Sequence, residues 1–423
     1  MACTLFCTAC SDREKYIALN RGSLKAESWL EVEKNEIVKI CIDSKVRVWN
    51  TTLDSIVLGE SCLKVRVPTL IGVSAINVKF FDTDSSYKIN LAVGMKYLDF
   101  KNEEVLIGYN EFRGKDSVLK RIISNNPVEE DPERLISVSG SYLVDKYPVT
   151  NCEITQLMWD NIPLDSDDNG YERAWAQRKK SAVHNKKCNT QDSATNTIFL
   201  YQALMYANAR SLREKLKPYY IFSETIDQYI RIRSEGQYII GFHDFIKHEN
   251  KTIYVKVDSA SDGYRLPYYD EWMMFARGGD KTNNAPWGNS APYKEVLKHA
   301  KFDKHNENYV ENKSDLVGQL KPNKYGLYDV FGLVEEHVLF ERPGRFKRSP
   351  DVKYRVKRLP SNKVICKNNC PSCLKGGRKD DDWNLVDYGF YRLNDRGFAR
   401  AGFRLIRNIG NNAKWSEVKS ESK

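Results

Sequence analysis

The 423-residue chain contains no apolar run approaching the roughly 20 residues that a membrane-spanning helix needs, so no such helix is expected. Histidine is scarce as well: six in the whole chain disfavour a metal centre built from several imidazoles. No cysteine follows Cys373, which removes thiolate chemistry from the closing segment. There is no internal repeat and no low-complexity tract apart from a polar tail over 411–423, which is expected to fray.

What remains is the balance of a globular protein, with 29% charged and 41% hydrophobic residues and 24 tyrosines. The length is too great for one ordinary core, so two domains are expected. The net charge of +10 is concentrated between Arg342 and Lys379, with Arg345, Lys347, Arg348, Arg355 and Lys357 among its cations. Such a strip can hold an anionic polysaccharide, lipid headgroups or nucleic acid, but a solvated loop is the preferred reading and nucleic acid is not an expected partner.

The ten cysteines fall unevenly, in two groups of three with four singles between them. The first group lies in Met1-Ala-Cys-Thr-Leu-Phe-Cys-Thr-Ala-Cys10, which is too short for a complete signal peptide and has no basic n-region. A small-residue run ending Thr-Ala-Cys and turning abruptly polar looks like the tail of a bacterial lipoprotein signal, with Cys10 as the lipidated residue if translation starts upstream. Segment 1–24 is set aside on that ground. A plain cytoplasmic N-terminus is the alternative.

Short runs of period two follow: Lys45-Val-Arg-Val-Trp49, Leu63-Lys-Val-Arg-Val67, Ile76-Asn-Val-Lys-Phe80, Tyr87-Lys-Ile-Asn-Leu91 and Val105-Leu-Ile107. Alternation means one buried and one wet face, and turn clusters between the runs predict an antiparallel, immunoglobulin-like β-sandwich over 25–124. Two prolines and four acids in Asn125-Asn-Pro-Val-Glu-Glu-Asp-Pro-Glu133 mark a linker over 125–134. A second domain is assigned to 135–410. Its helices are read from a capping box at Thr150 and Glu153, from a stripe through Tyr201, Leu204, Met205, Asn208 and Leu212, and from Tyr268 to Arg277 before Gly278-Gly279.

Several motifs of this second domain fall in one order: Tyr142-Leu-Val-Asp-Lys-Tyr-Pro-Val-Thr-Asn151, then Gly263-Tyr-Arg-Leu-Pro-Tyr-Tyr-Asp-Glu-Trp272, then Pro286-Trp-Gly-Asn289. Gly326-Leu-Tyr-Asp-Val330, Gly376-Gly377 and Gly402-Phe-Arg404 complete the series. The set resembles the formylglycine-generating enzymes of the sulfatase-modifying factor family. The resemblance implies an α+β, C-type-lectin-like fold. It also implies a calcium ion on the Asp329 and Glu336 carboxylates and the Gly332 and Val334 carbonyls. A second calcium of the family would use an Asn at the place of Lys301, whose side chain has no oxygen, so that site is not expected. The family's copper is held by two thiols, which would fall near Asp381 and Val386, where this chain has none. Copper is therefore not expected.

In place of the thiols the chain carries Arg378, Asp380, Asp381, Asp382, Trp383, Asn384, Tyr388 and Tyr391, residue types that make recognition surfaces. Lectin-like relatives contact their ligands through this same segment. The expectation is a non-catalytic binding protein of the cell envelope, taking a glycan or an envelope protein. Its alternative is a metal-dependent oxidase with a non-standard centre near Asp381 and His337. Cys366, Cys370 and Cys373 have the spacing of a radical-enzyme iron–sulfur site, but only 50 residues follow where a barrel would be needed. Structural zinc or a disulfide with one free thiol is preferred. His337, a lone histidine beside Glu336, is read as part of a hydrogen-bond network.

Overall fold

The computed structural model describes residues 14–107, 134–158, 193–196, 198, 200–223, 230–233, 239–240, 245–246, 252–283, 285–288, 293–302, 304–305, 308–309, 315–339, 372–375, 392–394 and 401–417. The chain forms two compact units, 1–95 and 96–423.

The first unit is all β. Its strands are β1 (Glu14–Leu19), β2 (Glu27–Val32), β3 (Ile37–Ile42), β4 (Val46–Thr51), β5 (Ser55–Leu58), β6 (Cys62–Arg66), β7 (Gly72–Phe80) and β8 (Ser86–Val93). They make two four-stranded sheets, in the orders β1-β3-β6-β5 and β2-β8-β7-β4. The period-two residues of both sheets meet in one core: Val38 and Ile40 of β3, Leu63 and Val65 of β6, Ile76 and Val78 of β7, and Ile89 and Leu91 of β8 are all buried. The expected purely antiparallel pairing does not hold, because β1 pairs parallel with β3 and β2 parallel with β8. Pairings place odd-numbered strands in one direction and even-numbered strands in the other. Like-numbered partners must then be parallel. β1, moreover, lies inside the segment set aside as 1–24.

Cys41 and Cys62 face each other across β3 and β6, with Cα atoms 4.1 Å apart, and are joined in a disulfide. Cys152 is disulfide-bonded too. A cross-link closing a 21-residue separation stabilises by about 3 kcal/mol in the chain-entropy account. Reduction of Cys41–Cys62, or Cys41→Ser with Cys62→Ser, is thus expected to lower the melting temperature of the first unit, read by circular dichroism with and without dithiothreitol.

β9 (Met95–Ile107) hydrogen-bonds in a three-stranded sheet with β10 (Arg134–Asp145) and a closing strand over Ile406–Glu417. This strand carries the chain into the second unit from Lys96, whereas the sequence reading extends the first domain to 124. The linker assigned to 125–134 lies, apart from Arg134, outside the described residues. The tail expected to fray from 411 is instead strand as far as Glu417. Its anchor is Trp415, buried and donating its indole N–H to the Tyr142 hydroxyl at 2.7 Å. A polar composition hid one aromatic that faces inward.

Helix α1 (Asn151–Met158) starts at the predicted box: Thr150 Oγ1 accepts the Glu153 amide while the Glu153 carboxylate accepts that of Thr150. Helix α2 (Leu200–Arg213) buries Ala203, Leu204, Tyr206, Ala207 and Arg210, but leaves Leu212 exposed. The predicted apolar stripe is therefore rotated. A buried arginine sets the face, because Arg210 reaches both oxygens of Asp145 at 2.9 Å. Helix α3 (Tyr269–Arg277) ends at Gly278 in the left-handed conformation, with a φ of 63°. Trp272, Met273 and Phe275 of α3 pack with Phe100, Tyr142, Phe302 and Phe331 in the main core.

A buried charge node beneath the closing segment

Of the sequence-predicted sites, only the loop from Asp329 to Glu336 is fully described. It is tightly wound: Asp329, Gly332 and Leu333 all take positive φ, between 52° and 70°. Gly332 is required there, since a Cβ would lie 2.4 Å from the Lys301 carbonyl oxygen. That same carbonyl accepts the Leu333 amide at 2.9 Å. The Lys301 ammonium, itself buried, reaches Asp315 at 3.1 Å.

Asp329 accepts the Gly318 amide through Oδ2 at 2.6 Å. Burial pushes its carboxyl up to about 6, and nearby Glu336 adds to the rise while Arg404 and Lys301 oppose it. Glu336 opens β11 (Glu336–Leu339), which pairs with β12 (Ser372–Lys375). It is wholly buried and heavily engaged. Arg404 Nε and Nη2 approach Oε1 at 2.9 and 2.7 Å, Nε also approaches Oε2 at 2.8 Å, and the Trp272 indole donates to Oε2 at 2.8 Å. Arg404 further donates to the carbonyls of Tyr328 and Asp145.

Asp145 extends the node. It accepts from Arg210 and, at 3.0 Å, from the Leu405 amide. Burial lifts its carboxyl to about 6 against the pull of Arg210, whose guanidinium lies 4.0 Å over the ring of Tyr264. His337 is buried with Nε2 2.8 Å from the Ile198 carbonyl, in the network role expected of it. Its amide donates to Gly402, and Gly402 donates to Glu335. Segment 401–406 is thereby fastened to the loop on one side and to β10 on the other. Gly402 permits the fit, since a Cβ would lie 2.6 Å from the Thr195 carbonyl.

The sequence reading names Asp329, Gly332, Val334 and Glu336 as calcium ligands and does not name Arg404 and Trp272 as the groups that hold the Glu336 carboxylate. A signal existed in the arginine set within the apolar run Phe403-Arg-Leu-Ile406, a buried cation that needs internal acceptors and a balancing negative charge. Arg378, Asp380, Asp381, Asp382, Trp383, Asn384, Tyr388 and Tyr391 lie outside the described residues, as do Cys10, Cys366, Cys370 and Gly376-Gly377. Cys373 lies in β12, paired in register with Val338. Among the described residues, no three His, Cys, Asp or Glu side chains come together as a metal site.

The profile of the sulfatase-modifying factor enzyme 1-like domain matches residues 103–409, most of the chain and all of this node. The chain belongs to that family.

The chain has a relative in the chaperone protein LppX of Paenibacillus barcinonensis, to which it is 34% identical over 217 residues. The match covers 48% of this chain and 63% of the relative, so the chain spans less than two thirds of that protein's length. Among solved structures, Treponema denticola variable protein 1 aligns over 77% of this chain and 98% of its own at 19% identity, with a TM-score of 0.45. A crystal structure of CarF aligns over 73% and 98% at 17% identity, with a TM-score of 0.38.

Proposed function

We propose that this sulfatase-modifying factor-like chain is a binding protein of the cell envelope, whose closing segment takes a protein ligand in preference to a glycan. The observation that carries the protein arm is the 34% identity to a relative named as a chaperone. Absence of any cysteine after Cys373 supports recognition over oxidation, because the family's copper thiols would fall near Asp381 and Val386. The Cys41–Cys62 cross-link suits an oxidising compartment. The fold that accompanies this reading is α+β and C-type-lectin-like, with an immunoglobulin-like sandwich before it.

In this reading the side chains of 378–391 supply the ligand contacts. Calcium is part of the proposal. Asp329 is a buried carboxylate with no direct ion pair among the described residues, and a hard cation, held also by the Gly332 and Val334 carbonyls, would neutralise it. Glu336 already carries its own cation in Arg404. Calcium is thus expected to raise the melting temperature of the wild type, with reversal by chelator and no response in Asp329→Ala.

The test is capture of envelope proteins and glycans by the immobilised full-length chain, with calcium and with chelator. Retention of a protein that Trp383→Ala with Tyr388→Ala abolishes is the expected result. Conversion of a cysteine-bearing peptide to formylglycine under oxygen and copper would overturn the reading.

A further inference from the structure

Among the described residues four strands end the sheets of the first unit, and three of them carry charges or a bulge that hinder pairing with another chain, while the fourth, β5, is limited only by its length. β1 carries Glu14 and Lys15, β2 carries Glu27 and Glu31, and β4 carries Arg47 and a bulge between Val46 and Val48. Charges and bulges of this kind keep an edge from accepting a further strand. β5 has neither. It reads Ser-Ile-Val-Leu, pairs on one side with β6, and exposes Ile56 by 61% and Val57 by 54%. β4 lies on the same rim, since the Val46 amide donates to Glu60 in the turn after β5, and it adds the exposed Val48.

We propose that β5 is a self-association edge, pairing antiparallel with β5 of a second copy of this chain to join two four-stranded sheets into one of eight. Charge selects this occupant. Asp54, at the start of β5, is exposed and only loosely paired with Arg66 at 4.0 Å. Lys45, at the other end beside the turn, is exposed and bonded to Glu60 at 2.6 Å. Antiparallel two-fold pairing brings Asp54 of each copy to Lys45 of the other, giving the alternating row Arg66, Asp54, Lys45, Glu60 twice over. The backbone row supplies the hydrogen bonds and Ile56, Val57 and Leu58 the apolar contact. Four residues make a small interface, so association is weak and depends on concentration.

The experiment is sedimentation velocity of the full-length chain across a concentration series, with hydrogen exchange followed on 55–58. A shift from one copy to two, with slowed exchange at β5, is expected. Ile56→Lys with Leu58→Lys is expected to abolish the dimer, and Lys45→Glu or raised salt to weaken it several-fold. Unchanged circular dichroism of both variants shows that the sandwich still folds, and Tyr16→Lys on β1 serves as the control that leaves the dimer intact. A single copy at every concentration, or a dimer indifferent to Ile56→Lys with Leu58→Lys, overturns the proposal. So does occupation of β5 by a different protein.

Discussion

Arg404→Met is expected to destabilise the second unit by about 3–5 kcal/mol, lowering its melting temperature by roughly 10 °C. Arg404 is buried and neutralises Glu336, which among the described residues has no other positive partner at salt-bridge distance. Among the described residues, its loss leaves Glu336 with the Trp272 indole as its side-chain donor and removes a donor from the Tyr328 carbonyl. An isolated buried carboxylate is far more costly than an intact pair. Replacing both members, as in Glu336→Leu with Arg404→Met, should therefore recover much of the loss. Chemical denaturation of the three proteins checks this. Equal stability of wild type and Arg404→Met would show that the pair does not hold the closing segment.

The second large effect belongs to Trp272→Ala, expected to cost about 3–5 kcal/mol from the cavity alone. The indole is 2% exposed, meets Phe331 edge to face at 5.8 Å between centroids, and donates to Glu336. Trp272→Phe separates these contributions, since it keeps most of the packing and loses the donor, and a smaller loss of about 1–3 kcal/mol is expected. Trp272 and Arg404 share one acceptor, so their effects should not add. Denaturant midpoints for the single and double variants give the coupling, and strict additivity would count against the node.

The sandwich was legible because its strands bury one face each, and a two-residue alternation is hard to mistake in Ile76 to Phe80 or Tyr87 to Leu91. Strand direction was not, since parallel pairing of β1 with β3 depends on which sheet the chain visits in between. Helix α2 was found but rotated, because hydrophobicity ranks Leu212 above Arg210 while the buried ion pair with Asp145 reverses them. The loop residues of the node were reached through motif order. Their partners lie tens to hundreds of residues away, and a single arginine in an apolar run does not say which carboxylate it will meet.

The sheet that sets residue 136 beside residue 417 carries a consequence for the order of folding. The first unit completes its pairings by residue 93 and can close while the ribosome is still at work. The second unit lacks its closing strand, Trp415 and the Arg404 charge until residues 404–417 have emerged. Until then its core stays open, waiting for the strand that pairs with β10.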